Sequence, residues 1–98
     1  MRSRHGTAEP GSQAPGRVGL RVDAPLTVRG PRPGDRLRTA AGHVPVGRLL
    51  ARHGVPSGLR GNVPVVIAGG RVVWVAGHAA AVDALAPPGS PCVVLEVD

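Results

Sequence analysis

Apolar and polar positions along the chain fall into short blocks, and the strongest block runs from Pro64 to Ala76. Two valine-rich runs, Val65-Val66-Ile67-Ala68 and Arg71-Val72-Val73-Trp74-Val75, flank Gly69-Gly70. Branched residues on either side of two glycines predict a hairpin closed by a two-residue loop. Counting outward from that loop pairs Ile67 with Val72, Val66 with Val73 and Val65 with Trp74. Both faces are then apolar, so the hairpin belongs inside the protein, covered on two sides. Earlier in the chain, Leu20-Arg21-Val22 and Leu26-Thr27-Val28 alternate as strands do, with Pro25 between them. Gly30 to Gly34 reads as a turn region, and Arg36-Leu37-Arg38 alternates again. Val46, Leu49, Leu50 and His53 recur at helical spacing. Pro45 suits the first helical position, Gly54 the C-terminal cap, and Pro56 ends continuation. Ser57 to Arg60 suits a short helical turn capped by Ser57. Ala79 to Leu85 is alanine-rich and predicts a weak helix. Pro87 to Pro91 reads as a loop, and Cys92 to Val97 as a last strand.

Composition sharpens this into an α+β expectation: a small layered β-sheet or sandwich domain with one or two short helices. Ninety-eight residues hold one domain, and a core without Phe or Tyr must be built from Val, Leu and Ala. Sixteen valines favour strands over a helical bundle. Residues 1–17 carry Ser, Gly and Pro with almost no apolar content and read as a disordered tail or linker. The folded domain is therefore expected over 18–98. Trp74, the only aromatic residue, reads as a core anchor; stacking on a nucleobase is the competing reading. No run is long and apolar enough for a membrane span, and nothing looks like a signal peptide, so a cytoplasmic protein is expected.

Charge adds a direction. The formal net charge is +6, and every basic residue is Arg. The stretch from Arg29 to Arg60 holds seven Arg and one acid, Asp35, and so has a balance of +6 by itself. Such a concentration is either a solvated face or a phosphate-contacting patch. Guanidinium planes suit structured RNA, where shape and backbone are read more than base sequence. Arg29, Arg32, Arg36, Arg38, Arg48, Arg52 and Arg60 are the candidate contacts. Arg32-Pro33-Gly34-Asp35-Arg36 has its own mechanics. Pro33 fixes φ, Gly34 permits positive φ, and Asp35 accepts N–H groups across the turn or pairs with an Arg, with Arg36 and Arg60 as candidate partners.

Other signals are set aside. Arg4-His5-Gly6-Thr7 looks like the phosphohistidine motif of histidine phosphatases, and Arg52-His53-Gly54 echoes it, but neither copy follows a buried strand on this reading. His43, His53 and His78 are scattered without metal-ligand spacing, so no metal site is expected. One Cys excludes an internal disulfide, and Cys92 reads as a small core residue. Asp35 has no neighbouring His or second carboxylate that would make it a general base.

The order of motifs is more specific than any one of them. Arg29, Pro33 to Arg36, Arg48 to Leu50, Val55-Pro56, Arg60, Val63-Pro64 and Trp74 to Gly77 follow one another. In this the chain resembles the C-terminal domain of bacterial tRNA(Ile)-lysidine synthetase over roughly Leu26 to Gly77. It departs from the family pattern in two places. Val46-Gly47-Arg48 carries one charge where the family tends to carry Lys, and His78-Ala79-Ala80 lacks the Arg that tends to follow the Trp strand. The full enzymes join lysine to the wobble cytidine of an isoleucine tRNA using ATP and Mg, and their C-terminal domain helps to grip the tRNA. The resemblance thus implies a tRNA-binding module in tRNA modification, with tRNA as partner and neither DNA nor a membrane. A separate catalytic subunit or a second copy of the chain is a further partner it allows. The Ser-Gly-Gly-x-Asp-Ser loop that holds pyrophosphate in that enzyme does not occur in these residues, so no cofactor and no catalytic residue are expected in this chain. The alternative readings are a structural module that docks on a catalytic subunit and a fragment without function.

Overall fold

A computed structural model describes residues 2–7, 16–22 and 24–97. The hairpin expected at its centre is there: β6 (Val65–Ala68) pairs antiparallel with β7 (Arg71–Val75). Gly69 and Gly70 both have positive φ, 59° and 79°, which only glycine adopts without strain and which closes a two-residue hairpin of the required twist. The register departs from simple counting. Ile67 faces Val72 as expected, but Val66 faces Trp74 and Val65 faces Val75, because a bulge sets Val73 between the pairs. The Val73 carbonyl instead accepts the N–H of Ala81 at 2.9 Å.

β3 (Leu26–Arg29) adds to β6, and β8 (Ala79–Ala80) adds to β7, giving a four-stranded sheet in the order β3-β6-β7-β8. Here the expected helix over Ala79 to Leu85 is corrected. The turn at Gly77 returns the chain alongside β7, placing Ala80 opposite Trp74 and Ala79 opposite Val75. Pairing beside a large indole outweighs the small helix preference of alanine.

A second sheet has the order β1-β9-β2, formed by β1 (Arg2–Thr7), β9 (Pro91–Glu96) and β2 (Arg17–Leu20). Residues 2–7 and 17, expected as tail, are thus strand. Ladder hydrogen bonds need only backbone, and β9 offers a second edge that a polar segment can fill. Gly16 lies in a turn, and the rest of that expected tail, 1 and 8–15, lies outside the described residues. A third pair, β4 (Arg36–Thr39) with β5 (Gly42–Pro45), runs straight into α1 (Val46–Arg52), and a 3₁₀ helix follows at Ser57–Asn62. β5 was not expected from the sequence.

The three units share one core. Trp74, Leu20, Leu37, Leu50, Val46, Val65, Val66, Val73 and Val75 are fully buried, and no buried residue is polar or charged among those described. Trp74 therefore anchors the core, and the stacking reading of its ring is withdrawn. Each such side chain contributes about 1.5–3 kcal/mol of burial. Among the described residues, no helix is long and apolar enough to cross a membrane.

Candidate nucleic-acid interface

The Arg32-to-Asp35 turn has the conformation its residues predict. The Asp35 N–H donates to the Arg32 carbonyl at 3.1 Å, and Gly34 has φ +89° at the third position. Asp35 is then the hub of the region. Its carboxylate accepts both Nη groups of Arg29 at 2.8 Å and the Arg32 N–H at 2.7 Å. Its carbonyl accepts the Val46 N–H at 2.9 Å, satisfying an N–H at the start of α1 that no earlier turn could reach. The Arg29 bonds, then the Arg32 N–H, hold the Asp35 carboxyl below the usual range against the opposing pull of burial. The same contact raises Arg29 further.

This corrects the expected partners of Asp35. Arg29 occupies the carboxylate bidentately, whereas Arg36 and Arg60 do not reach it. Arg29 also donates to the Gly30 carbonyl at 2.9 Å. Arg60 is half-buried, and its Nε donates to the Val55 carbonyl at 3.1 Å. Both serve the fold first.

The other five candidates are exposed: Arg32, Arg36, Arg38, Arg48 and Arg52. Among the described residues no carboxylate forms an ion pair with any of them. Their placement follows from local periodicity. Leu37 is buried, so Arg36 and Arg38 share the outward side of β4, across from Pro45 and His43 of β5. Arg48 and Arg52 stand one helical turn apart, with Val46, Leu49 and Leu50 turned to the core. Like charges at that spacing repel by a few tenths of a kcal/mol, roughly 0.2–0.5. A polyanion lying over them would relieve it. Arg32, Arg36 and Arg60 line one concavity with α1.

The sequence analysis names His43, His53 and His78 but not where the fold sets them. His43 joins the Arg36 and Arg38 side of the hairpin, legible only once β5 is known. His53 and His78, 25 residues apart, bring their Nδ1 atoms to 2.8 Å. Burial, and next the neighbouring His53, lower His78 below the ordinary imidazole value. Among the described residues no group of three or more His, Cys, Asp or Glu is placed to hold a metal ion.

Comparison with known proteins places these features in a family. The model of the TilS substrate C-terminal domain matches residues 26–97. A tRNA(Ile)-lysidine synthase from Exiguobacterium sibiricum is 45% identical over 62 residues, covering 62% of this chain and 15% of the relative. The crystal structure of a TilS C-terminal domain superposes with a TM-score of 0.80 at 25% identity, covering 96% of this chain and 78% of the other. The chain thus aligns with only a small part of the curated relative.

Proposed function

Since the chain belongs to the TilS substrate C-terminal domain family, we propose that it binds tRNA for an enzyme that forms lysidine, gripping the phosphate backbone without taking part in the ligation. One observation carries the reading. Five arginines from a single stretch are exposed and, among the described residues, form no ion pair with a carboxylate, while the one acid among them, Asp35, is engaged by Arg29 and the Arg32 N–H. Arg32, Arg36, Arg38, Arg48 and Arg52 are the phosphate contacts on this proposal, and Arg60 is a partial one. Arg29 supports them through Asp35. The loop chemistry that would bind ATP and Mg is not found in these 98 residues, so adenylation and transfer of lysine fall outside what they contribute. A family whose curated member is a tRNA(Ile)-lysidine synthase supports tRNA over DNA as the partner, and a cytoplasmic setting with it.

Filter binding of tRNA across a salt series tests this. Affinity should fall steeply with salt, and Arg48→Ala or Arg52→Ala should each reduce the log–log slope by about 0.7–0.9. Salt-independent binding, or no binding by the parent chain, refutes it. Co-purification of a synthetase subunit in place of tRNA would favour the docking alternative.

A further inference from the structure

Gly47 lies in the first turn of α1, where glycine costs helix stability relative to alanine. The backbone does not require it, because its φ is not positive. Packing does not require it either: a Cβ at Gly47 would meet no atom within 4 Å. The space it leaves is part of a concavity of about 420 Å³ between the Arg32-to-Asp35 turn, the start of α1 and the 3₁₀ helix. That volume lies within the range of small-molecule sites, about 300–1,000 Å³. Pro31, Pro33 and Pro45 supply flat apolar walls, and Leu50 contributes another apolar surface. Arg32, Arg36 and Arg60 stand around the same space. The Arg60 guanidinium is pre-set by its Nε bond to the Val55 carbonyl, which leaves both Nη groups to donate. Asp35, the only acid in the lining, is paired with Arg29, which offsets its charge.

An apolar cup with cations at its margin fits a flat, uncharged ring attached to a phosphate. We infer that this cup holds one unpaired nucleotide of the bound RNA, its base against the prolines and its phosphate on Arg32, Arg36 and Arg60. The inference rests on the tRNA-binding reading and narrows it: the exposed arginines follow the backbone, while the cup takes a base that is out of the helical stack. A paired base cannot enter, because its edge and both faces are already occupied. Gly47 is absent a side chain so that the base can enter.

The test uses two RNA hairpins of the same stem, one with a single-stranded extension and one blunt-ended. The parent chain should bind the extended hairpin about tenfold more tightly, the effect of stacking one base. Gly47→Leu should abolish that preference while binding the blunt hairpin as the parent does. Its thermal midpoint should not fall, since leucine is the better helix former. As a second measurement that does not depend on the variant's folding, 2-aminopurine in the extension should change its emission when the parent chain binds. Equal affinity of the parent for both hairpins, a preference that survives Gly47→Leu, or unchanged emission overturns the cup while leaving the arginine surface standing. Failure of the parent to bind either hairpin overturns both readings together.

Discussion

Replacing Asp35 by Asn removes the charge from the hub while keeping one oxygen able to accept the Arg32 N–H. The cost follows from what is left behind. The side chains of Arg29 and Asp35 are only 21% and 11% exposed, so this pair lies between two limits. A fully exposed ion pair contributes about 0–1 kcal/mol. Breaking a buried one by removing a single partner costs about 3–5 kcal/mol, because a charge stays buried without compensation. With both Nη bonds at 2.8 Å, Asp35→Asn should cost about 2–3 kcal/mol. For a domain of this size that corresponds to a midpoint lowered by on the order of 10–20 °C. Arg29→Ala combined with Asp35→Asn should cost less than the sum of the single changes, since each single change leaves the other group stranded. The sign of the pH dependence is also set. The folded carboxyl titrates below its unfolded value of about 3.9, so its contribution is fully present above that value and is lost as pH falls through the folded pKa. Urea denaturation at several pH values reads this directly. The gap between parent and Asp35→Asn should be constant from about pH 5 to 8 and shrink below about pH 4. A gap under about 0.5 kcal/mol at neutral pH, or one that does not narrow in acid, would refute the assignment of Asp35 as the hub.

Further outcomes follow from other contacts. Gly30→Ala places a Cβ 2.8 Å from the Gly61 carbonyl oxygen, so the 3₁₀ helix must shift; a loss of about 1–3 kcal/mol in chemical denaturation is expected. Arg71→Ala breaks a 2.5 Å contact with Asp83, but both side chains are well exposed, so stability should change by less than about 1 kcal/mol. His78 should titrate by NMR below the free imidazole value, and stability should decline as pH falls through its folded pKa, because burial and the neighbouring His53 oppose its charge. A His78 midpoint above the free value would sink that account.

How much of this could be seen in the sequence depends on how local the cause is. Two glycines between branched runs specify the β6–β7 hairpin by themselves, and Pro33-Gly34 specifies the turn that presents Asp35. The spacing of Val46, Leu49 and Leu50 specifies α1. Features set by partners elsewhere were not visible. The bulge at Val73 answers to Ala81, and Ala79-Ala80 becomes a strand only because β7 is beside it. β5 turns one apolar residue, Val44, toward Leu37 and is otherwise polar, glycine or proline, so it carries little pattern. β1 has no apolar alternation at all and exists through backbone pairing with β9. The basic stretch was legible as a group, but its internal division was not. Which arginine takes Asp35 depends on β3 bringing Arg29 to the turn, and that is a property of the sheet.

The placement of β9 between β1 and β2 has a consequence for synthesis on the ribosome. Both early strands hydrogen-bond to a segment translated long after them: Glu96, which faces both Arg17 and Arg2, follows them by 79 and 94 residues. Until Pro91–Glu96 leaves the exit tunnel, the first two strands have no template, whereas the β6–β7 hairpin and α1 can already have formed. A nascent chain arrested just before Pro91 should therefore remain open to protease over Arg2–Thr7 and Arg17–Leu20 while β6, β7 and α1 resist cleavage, and emergence of Pro91–Glu96 from the tunnel should protect both early strands at once.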